Sequence, residues 1–367
     1  MSDVTSITQR PLRLIEAAGA PRERGRAIGR ALRGEIAAHI RDWRASMIVP
    51  GGGDPTAYVA DLLAETDFER AIRRWAPGLL EEVEGMAEGA GLPADEVFAL
   101  QLLDEEWAYR ARRAAGRAPS KCSSLAIAAP DGPTWIGQNM DLGDYTDGHQ
   151  AMLRIGADGE RPAALVFTTA GMIGLMGVNA AGVGVCVNAL PQLPSAPQGV
   201  PVAFVLRRLL ETRSLGEAAE LVVALPHATN QHYLIASPDG VRSFEASAAG
   251  VVEYRAPDPR RVFHTNHPLA APVKPEAPGA WENSEVRLAS LTSRLAAGAA
   301  GLGEIQGALC ARDDPRHPVC RSGAGLYGFT TGSMISALEP GRVASWASAG
   351  PPDARGYHAF ELSGAGG

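Results

Sequence analysis

Residues 120–141 read SKCSSLAIAAPDGPTWIGQNMD. Two short apolar runs, SSLAIAA and TWIGQNM, flank Pro-Asp-Gly, a strong turn signal. The stretch therefore predicts a β-hairpin. It also marks a seam. Upstream, residues 13 to 108 carry a helical pattern: PRERGRAIGRALRGEIAAHIRDW sets Ile28, Ala31, Leu32, Ile36 and Ile40 on one stripe, and Pro21 suits a helix start. PGLLEEVEGMAEGAGLPADEVFALQLLDEEW predicts two more helices, with Gly89 and Gly91 punctuating the first, and the polar connector YRARRAAGRAPSK follows.

Downstream of the seam the pattern becomes that of strands. AALVFTT, GMIGLMGVN and GVGVCVNAL are short apolar runs with glycine punctuation. Helical runs return at 201–224, then a second Pro-Asp-Gly divides HYLIAS from VRSFEAS, and GVVEYRA and RVFHTN continue as strands. A helix pair at about 281–311, a hairpin over GSMISALEPGRVASWAS and a last strand in YHAFELS complete the pattern. Alternating blocks of strands and helices suit two sheets packed face to face under helices, a layered α+β fold. GxxxxGK[ST] does not occur, so P-loop nucleotide-binding folds lack support.

The 367 residues include 46% hydrophobic and 20% charged residues, the profile of a globular protein with ample core material. A formal charge of −7 argues against nucleic acid or an anionic membrane as the main partner. The arginines at 22, 24, 26, 30 and 33 read as a solvated helix face. MSDVTSITQRPL lacks the apolar core of a signal peptide, and no run of roughly 18 or more uncharged apolar residues is present, so no transmembrane helix is expected. The expected location is cytoplasmic. The four cysteines lack metal-ligand or CxxC spacing, so Cys186, Cys310 and Cys320 read as structural thiols, and no cofactor or metal is expected.

Cys122 reads differently. It opens the hairpin beside Ser123 and Ser124, and the return strand carries Gln138, Asn139 and Asp141. A carboxylate raises a neighbouring thiol's pKa, so Asp141 makes sense if it faces a cation near the sulfur. A chain cut before Cys122 would supply that cation as the α-ammonium. An α-amine titrates near pH ~8 and a thiol near ~8.5, so the amine can act as base for its own side chain. A papain-like base, His264 or His267, is the alternative for an uncleaved chain; HTNH could also be a satisfied turn or a two-histidine metal site. Met172 and Met176 read as core, and Asp144, Tyr145 and Asp147 as loop residues beyond the hairpin.

Taken in order, these segments resemble the acyl-coenzyme A:6-aminopenicillanic acid acyltransferase family of N-terminal-nucleophile hydrolases, relatives of the penicillin V acylases and bile salt hydrolases. AGAPRERGRAIGRAL and EVEGMAEGAGLPADEVFALQLLDE are similar to its propeptide region, and CSSLAIAAPDG with WIGQNMDL to its nucleophile hairpin. GVNAAGVGVCVNAL, HTNHP, SEVR and SAGPPD follow in the family's order. The resemblance implies a four-layer αββα fold, with residues 1–121 a helical N-terminal segment and 122–367 the catalytic region. It implies Cys122 as nucleophile and Asp141 as the carboxylate holding its amine and thiol. Asn266 would be the side-chain oxyanion donor, the Asn188 N–H a second donor, and Arg287 the arginine near the cysteine. Gln138 stands where bile salt hydrolases carry arginine, which points toward the acyltransferase branch. Self-cleavage would fall between Lys121 and Cys122, where Lys121 replaces the glycine of a well-known acyltransferase, and the cut N-terminal fragment would be a partner of the rest. The expected substrate is a small amide or acyl thioester, with Ser123, Gln138, Asn139 and Tyr145 as candidate contacts. A catalytically silent binding protein on the same scaffold is the reading from another class.

Overall fold

The structure is a computed structural model and describes residues 12–114, 122–296, 298, 300–323 and 328–363. A strand, β1 (Arg13–Ala17), precedes seven helices: α1 (Pro21–Ala31), α2 (Arg33–Ser46), α3 (Pro55–Ala64), α4 (Phe68–Trp75), α5 (Pro77–Ala90), α6 (Ala94–Leu100) and α7 (Leu103–Ala114). The hairpin strands β2 (Ser123–Ala128) and β3 (Thr134–Leu142) come next, then β4 (Gln150–Ile155), β5 (Ala164–Thr169), β6 (Met176–Asn179) and β7 (Gly184–Ala189). Helices α8 (Val202–Leu209) and α9 (Leu215–Ala224) lead to β8 (Gln231–Ser237), β9 (Gly240–Ser247), β10 (Gly250–Glu253) and β11 (Arg261–His264). Helices α10 (Glu282–Leu295) and α11 (Leu302–Leu309), strands β12 (Phe329–Glu339) and β13 (Arg342–Ser348), a one-turn helix α12 (Pro352–Arg355) and β14 (His358–Ser363) follow.

Among the described residues these strands form an eight-stranded sheet, β1-β4-β5-β6-β7-β8-β9-β10, and a six-stranded sheet, β11-β2-β3-β12-β13-β14. Strand alternation explains how they stack. On β2, Ala126 joins the core between the sheets, whereas Leu125 and Ile127 face Leu291, Leu295, Ile305 and Leu309 of α10 and α11. The eight-stranded sheet is covered on its other side by α8 and α9 and by the N-terminal helices, which share its core. The order helix, sheet, sheet, helix is the expected αββα arrangement.

Three local differences have physical reasons. Residues 13–17 lie in the region read as helical but form β1, which pairs in parallel with β4 and buries Ile15 and Ala17 on alternate positions. The stretch read as two helices from Pro77 onward is three, because the chain turns at Gly91 (φ 69°) and again between Leu100 and Leu103. In GMIGLMGVN only Met176–Asn179 is a strand; residues 171–175 turn, with Gly171 at φ 94°.

Helices α1 and α5 meet backbone to backbone. A Cβ added at Gly25 would lie 2.0 Å from the Glu82 carbonyl oxygen, and one at Gly29 2.1 Å from that of Met86. From the other side, a Cβ at Gly85 would lie 2.1 Å from the Arg22 carbonyl oxygen and one at Gly89 2.3 Å from that of Arg26. Four glycines at i, i+4 spacing thus let the two helices interlock. Beside this seam Glu82 is fully buried between Arg24 of α1 and Arg207 of α8. Burial works to raise its carboxyl, but the two guanidiniums outweigh burial and hold it below the usual carboxylate range.

Candidate active site

The hairpin places Cys122 as expected. β2 and β3 pair antiparallel with Ser123 opposite Asn139, so Cys122 meets the end of β3. Its sulfur lies 3.6 Å from Met140 Sδ and accepts from the Asp141 N–H at 3.4 Å. The thiol is buried, and burial first, then the Asp141 charge, pushes it up to about 12. Such a thiol stays protonated at neutral pH unless a base is placed beside it. Lys121 lies outside the described residues.

The Asp141 carboxylate is held from the far side of β3. Oδ1 accepts from Thr330 Oγ1 at 2.8 Å, and Oδ2 lies 3.4 Å from Arg321 Nε. Thr330 reaches it because of a bulge: Asp141 pairs with Thr330 and Met140 with Gly332, leaving Thr331 as the extra residue. The Thr330 hydroxyl also accepts from the Arg321 N–H at 2.9 Å, so one side chain fastens the Arg321 segment to Asp141.

Arg287 ties Cys122 to the asparagine expected as donor. Projecting from α10 and fully buried, it gives Nη1 to the Cys122 carbonyl at 2.6 Å and to Ser123 Oγ at 2.9 Å. Its Nη2 donates to Asn266 Oδ1 at 2.9 Å, while Nε is held by the Asn283 carbonyl and side chain. Burial lowers the guanidinium's pKa to about 10, which still leaves it charged at neutral pH. Three residues before Arg287 on the same helix face, Ser284 Oγ accepts from the Asn266 N–H at 2.6 Å. With Oδ1 committed to Arg287, Asn266 turns the donor end of its amide the other way, and Nδ2 reaches the Ala189 carbonyl at 2.9 Å.

The second expected donor needs a correction. Along β7, Val187 turns its N–H and carbonyl to the Gln138 side chain, and the Leu190 N–H goes to the Asn230 carbonyl beyond β8. Peptide groups alternate along a strand, so the Asn188 N–H points into the β7–β8 ladder. The N–H sharing the side of the Ala189 carbonyl, where Asn266 sits, belongs to Ala189. The Asn188 side chain is structural, its Oδ1 accepting from Ser124 Oγ at 2.6 Å and meeting His232 Nδ1 at 3.0 Å.

Of the candidate substrate contacts, Gln138 clamps the Val187 peptide across the two sheets, and Asn139 donates to the carbonyls of Leu309 and Val319 under α11. Ser123 accepts from Arg287, and Tyr145 stacks near His39 in the 3₁₀ turn Asp144–Thr146. None of these four lines the cavity onto which Cys122 opens. The histidine alternative meets a different geometry. His264 directs Nε2 to Glu245 at 3.1 Å and Nδ1 to the Thr265 carbonyl, and His267 directs Nδ1 to Ser284 Oγ at 2.7 Å. Burial lowers the His267 pKa to about 4. Among the described residues no group of three or more His, Cys, Asp or Glu could hold a metal ion.

The cavity is narrow, about 30 Å³ within about 440 Å³ that counts the open solvent at its mouth. Cys122, Met140 and Val187 form its wall between the sheets; Trp107 of α7, Met172 and Leu206 of α8 close it from the N-terminal side. Met172 belongs to the core, as read, and also lines this cavity. Asp104 of α7 and Gln231 of β8 supply its polar end. Arg321, Thr330, Asp104 and Gln231 carried no signal in the sequence, since each is brought in from a remote segment by tertiary pairing.

A family model described as acyl-coenzyme A:6-aminopenicillanic acid acyl-transferase matches residues 127–305, which include Asp141, Asn188, Asn266 and Arg287 and begin just after Cys122. The acyl-coenzyme A:6-aminopenicillanic-acid-acyltransferase 40 kDa form of Emericella nidulans is 31% identical over 252 residues, spanning 68% of each chain. The chain belongs to the acyl-coenzyme A:6-aminopenicillanic acid acyltransferase family. As a member it is an enzyme acting on amide bonds. Among solved structures, the N-acylethanolamine-hydrolyzing acid amidase ortholog of Caenorhabditis elegans matches 66% of this chain and 100% of its own at TM-score 0.45 and 13% identity. A mutant of the conjugated bile acid hydrolase of Clostridium perfringens matches 66% and 92% at TM-score 0.46 and 13% identity. Penicillin V acylase of Agrobacterium tumefaciens matches 66% and 86% at 0.41 and 12%.

Proposed function

We propose that this family member is a cysteine N-terminal-nucleophile acyl-transfer enzyme, activated by self-cleavage between Lys121 and Cys122. The observation that carries the reading is the Arg287 guanidinium, which grips the Cys122 carbonyl with one nitrogen and Asn266 Oδ1 with the other. Nucleophile and oxyanion donor are thereby fixed by one rigid, buried group. After the cut, the Cys122 α-amine takes the thiol proton, and Asp141, backed by Arg321, stabilises the ammonium. The sulfur attacks the carbonyl carbon of a small amide or acyl thioester. Asn266 Nδ2 and the Ala189 N–H receive the oxyanion, which exists only in the tetrahedral intermediate and so is stabilised more than the substrate. The α-ammonium then protonates the leaving amine or thiol as its bond to the carbonyl carbon breaks. Water or an amine acceptor attacks the S-acyl enzyme, gives its proton to the α-amine, and releases the acyl group from sulfur. Hydrolysis and transfer use the same residues and differ in which acceptor the cavity admits.

N-terminal analysis of the purified protein is expected to find a chain that starts at Cys122. Incubation with an acyl thioester is expected to leave an acyl adduct on Cys122, detected by mass spectrometry and absent in Cys122→Ala. A single uncut chain with full activity would sink the processing step, and no adduct on Cys122 would sink the nucleophile.

A further inference from the structure

The cavity behind Cys122 is apolar on most sides, yet a carboxylate opens into it. Asp104 is partly accessible, and the cavity is what it lines. Its Oδ1 accepts from Gln231 Nε2 at 2.9 Å, a neutral partner where a buried carboxylate ordinarily takes a cation. Burial, opposed by that one hydrogen bond, pushes the carboxyl up to about 6, so it still carries charge at neutral pH. Three acids among the described residues have their charge coupled to it. They are Glu105 next along α7, with its carboxyl pushed up to about 8 chiefly by burial, the Cys122 thiol, and Tyr233 on β8. Folding thus desolvates a carboxylate against the cavity of Cys122, with a neutral amide as its hydrogen-bond partner.

We propose that Asp104 and Gln231 form the far end of the acyl-binding cavity and receive a protonated primary amine, so that the enzyme prefers acyl groups bearing a terminal ammonium. This rests on the reading of Cys122 as the acyl-accepting nucleophile. The apolar walls, Trp107, Met140, Met172 and Leu206, would cover the methylene chain between the carbonyl and the ammonium. The residue that chooses the substrate then lies in the segment preceding the cleavage position, and the acylated sulfur in the segment following it.

The test uses the full-length protein and paired p-nitroanilides: β-alanyl against butanoyl, 4-aminobutanoyl against pentanoyl, 6-aminohexanoyl against heptanoyl. At least one amino-bearing member is expected to exceed its carbon counterpart in kcat/KM by about tenfold or more, the kind of discrimination a buried polar contact gives. Asp104→Asn is expected to bring that ratio to about one. In the wild type the same ratio falls as pH is lowered through about 6, where Asp104 gains its proton while the amine, titrating near ~10, keeps its own. Because both members of a pair share the chemical step, its pH dependence cancels in the ratio, and this arm needs no variant. Preference for the carbon counterpart at every length, or a ratio indifferent to both Asp104→Asn and pH, overturns the proposal alone. If no probe of either kind is turned over or acylates Cys122, the proposed function falls with it.

Discussion

The amide of Asn266 is oriented by contacts on three sides. Arg287 takes its oxygen, Ser284 Oγ holds its main-chain N–H, and Gln192 Nε2 donates to its carbonyl at 2.9 Å. A donor fixed in this way needs no reorganisation when the oxyanion forms, which is what makes such groups worth more in a dry site than in water. Asn266→Ala is accordingly expected to lower kcat by about 10²–10³ with a much smaller change in KM. Steady-state kinetics on any amide that acylates Cys122 checks it, and a kcat within about threefold of wild type would remove Asn266 from the oxyanion role. At this scale the sequence was informative where residues are close in the chain. Cys122 and Asp141 meet through one hairpin, and Ser284 and Arg287 through one helical turn. Asn266 and Arg287 meet through β11 and α10 packing together, which only the family resemblance anticipated. The proposed Ala189 donor was not anticipated because the direction of an N–H depends on the register between β7 and β8, which no residue type encodes.

The glycine seam between α1 and α5 decides how the N-terminal helices sit on the eight-stranded sheet. In sequence those glycines read as punctuation, and Gly91 does end α5 in the left-handed region. Gly89 serves the other purpose, close approach to a neighbouring backbone. In an isolated helix Gly→Ala would stabilise by about 0.5–1 kcal/mol. Here the sign reverses. Gly29→Ala puts a methyl 2.1 Å from the Met86 carbonyl oxygen, and the two helices must part to admit it. The expected cost is about 1–3 kcal/mol or more, the usual penalty of overpacking. A lowered urea midpoint by circular dichroism checks this, with Gly34→Ala on the exposed side of the same region, where nothing lies within 4 Å, as the contrast. Strands and helices with a clear period were legible to within a few residues. β1 was not, since five residues at a sheet edge carry too short an alternation to outweigh the helical run behind them.

Considered as a whole, the molecule does not divide where its sequence changes character. The boundary between 121 and 122 separates a helical stretch from the hairpin, yet β1 pairs with β4, Trp107 and Asp104 complete the cavity, and Glu82 reaches across to Arg207 on α8. A cut before Cys122 would therefore release a covalent bond without releasing a body. Both fragments are expected to elute together in size-exclusion chromatography under native conditions and to separate only in denaturant. Elution as two native species would contradict the shared sheet.

The parallel pairing of β1 with β4 carries this further. Parallel neighbours are joined through a long crossover and not through a tight turn, and here the crossover is the whole helical segment together with the hairpin, from Ala17 round to Gln150. Severing that crossover leaves a strand inserted in a sheet to which it is no longer tethered nearby, held by its ladder and by the interlocked helices. Were it removed, the chain would have to close a new loop around an edge it could not refill by itself. For a chain processed as proposed, the order of events would be one-way: the segment must be seated before the bond is broken, and a chain synthesised to begin at Cys122 would lack the template on which its own sheet is completed.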